Sequence, residues 1–165
     1  MEESAQGDPM TNQATVNIAA EIKALLDANT ALIAEGAQSV YGLPTETLVI
    51  SKAKAYGVCP SSKSEMELTL DNGTSHLNQT SHKFLIWAYA KPTPPTTPEL
   101  AQRAVCDLMD KIEVCLRAHR TASGYVTNLQ LSETNYDYEE VQPGTYGATA
   151  SIIVTGINTV TASST

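Results

Sequence analysis

The stretch Pro98–His119, PELAQRAVCDLMDKIEVCLRAH, preceded by Phe84–Ala90, FLIWAYA, decides the fold. Thr97 suits an N-cap, Pro98 the first helical position, and Glu99 the positive end of the helix dipole. Leu100, Ala101, Ala104, Val105, Leu108, Met109, Ile112, Cys115, Leu116 and His119 then recur at steps of three and four. They predict one amphipathic helix of about 33 Å. Gln102, Arg103, Asp107, Asp110, Lys111, Glu113 and Arg117 form its solvated face. An apolar stripe of that length needs a sheet to cover. In Phe84–Ala90, Phe84, Ile86, Ala88 and Ala90 take one face, Leu85, Trp87 and Tyr89 the other. A strand apolar on both faces is central in its sheet, or has its second face covered by another subunit.

At 165 residues the chain suits one domain with a real core. The net charge of −8 argues against a grip on nucleic-acid phosphates, which needs a basic patch. Lys and Arg stop at Arg120, leaving an acidic last quarter that reads as a solvated edge or a partner surface. Cys59, Cys106 and Cys115 show no metal spacing and read as reduced core thiols. No signal peptide opens the chain and no apolar run is long enough to cross a membrane, so a soluble intracellular protein is expected. The sequons at Asn72 and Asn78 then carry little weight.

Outward from the centre, residues 1–13 read as a flexible tail, 14–158 as the α+β domain and 159–165 as a second flexible tail. Thr15 can cap a first helix burying Ile18, Ile22, Leu25 and Leu26, ended by Gly36 or broken earlier at Asn29 and Thr30. Gln38–Tyr41 is a short extended piece. Thr47–Val58 reads as a strand, with Leu48 and Ile50 on one face and burial fading toward Tyr56. Gly57–Ser64 reads as a loop, and Glu65–Leu70 as a strand with Met66, Leu68 and Leu70 inward. Asp71-Asn72-Gly73 signals a hairpin, with a polar and mobile return arm expected over Thr74–Ser81. Lys91–Pro98 is a stiff connector. Tyr125–Ser132 and Thr145–Val154 are closing strands, flanking a polar segment Glu133–Gly144. The expected fold is α+β: a mixed, mostly antiparallel sheet of about five strands, with two main helices packed mainly on one face.

Few constellations suggest chemistry. His76 and His82 with Asp71 can be imagined around a metal, but six-residue loop spacing matches no ligand pattern. His119 follows Cys115 by one turn, a geometry open to a thiolate pair. A histidine there also meets the last carbonyls and the dipole, and this capping role is the expected one. Asp107 and Asp110 sit beside Arg103 and Lys111, an arrangement for i, i+4 ion pairs rather than acid–base work. Gly144, Gly147 and Gly156 make no phosphate cradle. Tyr136, Asp137, Tyr138, Glu139 and Glu140 read as an aromatic–acidic contact loop or as an edge strand.

The order of elements resembles the tail terminator (tail completion) proteins of long-tailed bacteriophages. That order is a modest first helix, strands around Leu48–Tyr56, Glu65–Leu70 and Phe84–Ala90, and a Pro-bearing link. The long helix through Ala101, Val105, Leu108, Ile112 and Leu116 follows, then strands Tyr125–Leu131 and Tyr146–Val154. The resemblance spans about residues 14–156 and rests on pattern and length. It implies a non-enzymatic virion subunit without a cofactor, forming a homo-oligomeric, hexameric ring at the head-proximal end of the tail. Its partners would be the major tail tube protein and head–tail connector or neck proteins, with DNA only passing through the lumen and no membrane. On this reading Leu48, Ile50, Leu85, Trp87 and Tyr89 are interface candidates. Asp71, Asn72, His76, Asn78, Tyr136, Asp137, Tyr138, Glu139 and Glu140 are partner-loop candidates. A neck or head-closure protein is the nearest alternative. A cytosolic thiol enzyme using Cys115 and His119, or an acidic adaptor domain, is the more distant one.

Overall fold

The computed structural model describes residues 14–43, 53–70, 75–91, 98–142 and 145–163. Among these residues, three helices, α1 (Thr15–Asp27), α2 (Thr30–Glu35) and α3 (Pro98–Ala118), accompany five strands. These are β1 (Gln38–Tyr41), β2 (Lys54–Leu70), β3 (Ser75–Ala90), β4 (Asn128–Gln142) and β5 (Thr145–Ser163). The strand order is β1-β2-β3-β5-β4, with β1–β2 parallel and every other pairing antiparallel. The α+β architecture expected from the sequence is the one observed.

The central placement of β3 follows from its composition. Even-numbered residues Phe84, Ile86, Ala88 and Ala90 pair across to Val154, Ile152, Ala150 and Ala148 of β5. Together they make the floor on which the helices pack. α3 lays Ala101, Val105, Leu108, Met109, Ile112, Cys115 and Leu116 on that floor, and α1 adds Ile18, Ala19, Ile22 and Leu26. Leu100, expected in the stripe, is exposed at the first turn of α3. Asn29 breaks the first helical stretch by capping α2, its Oδ1 accepting from the Leu32 amide at 3.1 Å. Gly36, at φ 68°, ends α2 in the left-handed conformation.

Thr15 does not cap α1. Ala14 takes that position with no side-chain bond, leaving the Thr15 hydroxyl to meet His82 Nδ1 at 2.9 Å. The Thr97 cap, the Leu48 and Ile50 strand and the Asp71–Gly73 turn lie outside the described residues. The hairpin itself is present, closing with Leu70 opposite Ser75.

Five local expectations change, each for a physical reason. Gly57–Ser64 is the middle of β2, not a loop. Pro60 is tolerated because β1 pairing stops at Val58 and the register slips between Pro60 and Ser62. That slip also reverses Met66, which follows Ser62 and Ser64 onto the face away from the helices and is exposed. Burial does not fade at Tyr56, which is enclosed, its hydroxyl donating to Asp27 Oδ1 at 2.8 Å. The segment from Thr74 to Ser81 is held from Ser75 onward between β2 and β5. β5 likewise runs through the expected flexible tail, with Thr159–Ser163 opposite Gln79–Ser75. Polar β-branched residues such as Thr159 and Thr161 suit such a ladder without supplying an apolar signal.

Candidate functional site

The three described helices lie on one side of the sheet, and the other side is the candidate site. Along β5 its surface is Thr149, Ser151, Ile153, Thr155, Ile157 and Thr159, all half-buried. Leu85 lies opposite Ile153 on one flank and Cys59 on the other, making an apolar row across three strands. Lys83, exposed, ends the row beneath it. The surface is rich in small hydroxyls and uncovered by any described helix.

Part of this face is sealed from within. Trp87 and Tyr89 form a small cluster with Ala55 and Val40, and both aromatics are buried. Trp87 lies over Gly57, its cross-strand partner, where an added Cβ would come within 2.5 Å of the indole. Its Nε1 donates to the Gly42 carbonyl at 2.7 Å, tying the chain after β1 to the sheet centre. Tyr89 similarly covers Gly147 of β5, where a Cβ would come within 2.7 Å of the phenol oxygen. Trp87 and Tyr89 therefore belong to this chain's own core and are not exposed interface residues. A glycine on the neighbouring strand provides the recess each ring fills. Leu85, half-buried, is the described interface candidate that reaches the surface.

The acidic contact segment is an edge strand, not a loop. Tyr136 pairs with Ala150, Asp137 with Thr149, Tyr138 with Ala148, Glu139 with Gly147 and Glu140 with Tyr146. Tyr136 and Asp137 thus point to opposite faces, and Tyr136 lies on the α3 side. Burial pushes the Tyr136 phenol up, with Cys106, Glu113 and Asp110 adding to it. Asn78 is half-buried on β3, and His76 lies on β3 opposite Thr69. Asp71 and Asn72 lie outside the described residues.

Cys115 and His119 do not form a couple. The Cys115 thiol is buried and directed at the Leu25 carbonyl at 3.6 Å, and burial pushes its pKa up. His119 Nδ1 instead meets the Cys115 carbonyl at 2.9 Å, the expected satisfaction of a helix-end acceptor. The ion-pair reading of α3 holds: Lys111 bonds Asp107 at 2.9 Å and Arg103 bonds Glu99 at 2.9 Å. The three cysteines are free, and no group of three metal-ligating residues occurs among the described residues.

Two polar centres take shape only in the fold. Glu35 accepts from both Lys111 of α3 and Lys54 of β2, which hold its carboxyl down at about 2. It forms one wall of a shallow cavity of about 250 Å³ with Gly36, Ala37, Gln38, Ala53 and Lys54. No local pattern announces this, because the lysines are 19 and 76 residues away in sequence. His82 is fully buried on the helix side of β3, stacked on Phe84 with centroids 6.5 Å apart. Its phase was readable, since it lies two residues before Phe84 on the same face. No protein-family model matches the chain, and no curated protein matches it.

Proposed function

We propose that this chain is a structural ring subunit, a tail terminator that caps a phage tail tube and presents the surface to which the head joins. The observation that carries this reading is the one-sided layering. The described helices cover one side of the sheet, and none of them lies over the Cys59–Leu85–Ile153 row and the threonine-lined β5 surface. A partly apolar sheet face of this kind suits contact with a large partner better than enclosure of a small molecule. The acidic β4 edge and the net charge of −8 suit a lumen through which DNA passes without sticking. A ring is heterologous, so two different surfaces of one subunit must match. The open face and the helix layer are two such chemically distinct surfaces.

The test is native mass spectrometry and electron microscopy of the purified chain, alone and mixed with tail tubes from the particle whose reading frames adjoin its own. Ring-shaped caps at tube ends are expected, with tubes of uncontrolled length when the chain is omitted. A chain that stays monomeric with tubes present and leaves their length unchanged overturns the reading. A neck or head-closure subunit would bind the assembled head-side connector and ignore bare tubes, so the same preparation separates the two.

A further inference from the structure

We propose that His82 is a pH-operated latch that holds the first turn of α1 against the sheet and releases it on acidification. This is independent of the ring assembly. The latch is one contact, Thr15 Oγ1 to His82 Nδ1 at 2.9 Å, joining the first residue of α1 to the middle strand. Among the described residues no other side chain serves that helix end: Ala14 offers no cap, and the first turn has no acidic residue. The positive end of the α1 dipole sits beside the imidazole with no acid in its own first turn to offset it.

A proton on His82 has nowhere comfortable to go. The ring is fully buried, and Nε2 has no hydrogen-bond partner. Asn158 Oδ1, on the same face of β5, is also unpartnered and does not reach it. Across the ladder on β2 stands Lys63, directly opposite in register. Among the described residues Glu65, two residues on, opposes this repulsion, and it already accepts from the Thr80 hydroxyl at 3.5 Å. β5 has no charged residue over Thr145–Ser163, and neither has the turn Thr121–Val126, whose Val126 packs on Gly156 opposite His82. From α1, Glu21 is turned to Ser123 and Lys23 to Asp27. Burial, then Lys63, accordingly depress the His82 pKa below 6.5. The neutral ring thus contributes stability that is complete above that value and is lost as pH falls through the lower folded pKa. The cheapest way to hydrate the cation is to lift the first turns of α1, uncovering Ile18 and Ile22.

The experiment is amide hydrogen exchange by NMR between about pH 7.5 and 4.5, read as protection factors so that intrinsic exchange is removed. Protection over Val16–Ile22 is expected to fall at least about tenfold across this range, while Leu108–Ile112 of α3 keeps its protection. In His82→Gln, which can still accept from Thr15 but cannot take a proton, the fall should vanish. A fall of equal size in His82→Gln overturns the proposal. If that variant does not fold, the ring titration of His82 in the native chain decides. Local exchange must follow that titration, and an unshifted His82 or flat protection across its midpoint overturns the latch.

Discussion

Glu35 shows how much one side chain can organise. Its carboxylate joins α2, β2 and α3 through Lys54 and Lys111, and neither ammonium is fully exposed. Because its pKa lies at about 2 rather than 4.5, the folded chain binds fewer protons there than the unfolded one. The stabilisation is therefore full above pH 4.5 and is lost as pH falls through about 2. Glu35→Gln should cost on the order of 1–2 kcal/mol at neutral pH. It should also flatten the acid limb of stability, measured as urea midpoint against pH. Asp27 is a milder case. Burial alone would raise its pKa, but the bonds from Ser39, Lys23 and Tyr56 outweigh that and hold it low. Such centres are hard to read from sequence. Lys54 and Lys111 look like ordinary surface cations until the topology brings them to one carboxylate, whereas His119 was legible because its acceptor lies one helical turn away.

At the scale of elements, the pairing of aromatics with glycines is the feature most open to experiment. Gly57→Ala places a methyl inside the Trp87 ring's contact distance, and that ring is fixed by its bond to the Gly42 carbonyl. A cost of about 1–3 kcal/mol is expected, with the Nε1 bond lost. Trp87 is the sole tryptophan, so its fluorescence emission reports the displacement directly. Leu108→Ala, on the opposite side of the sheet, should cost about 2–5 kcal/mol in thermal or urea unfolding and leave that emission unchanged in the folded state. α3 was readable from end to end because its period is regular and its packing needs nothing beyond a flat floor. β2 was not. Gly57, Pro60, Ser61 and Ser62 resemble turn residues, and only the recess under Trp87 and the slip past Pro60 make them strand. The polar ends of β3 and β5 hid similarly, since strands held on both sides by backbone bonds do not need apolar side chains.

For the molecule as a whole, the open sheet face sets the clearest expectation. Ile153→Asp adds charge to a half-buried position opposite Leu85, so it should cost folding about 1–3 kcal/mol, which urea unfolding of the variant measures. Its effect on assembly should be large, and sedimentation velocity with and without tail tubes measures it. Normal caps from Ile153→Asp would move the contact away from this face. The edges are less inviting. β4 breaks register at Leu131/Thr134 and again at Glu140/Gln142, and it is lined with acids, while β2 has Pro60 and its own slip. Both are features that discourage casual strand addition. The strand order has one more effect, felt while the chain is being made. β3 lies beside β5, yet α3 and β4 are translated between them, and Ser75 waits for Ser163. During that interval the β2–β3 hairpin leaves the ribosome with the hydrogen-bonding flank of its most apolar strand bare. A nascent chain stalled after β4 should therefore be captured by a holding chaperone, and one released after β5 should not.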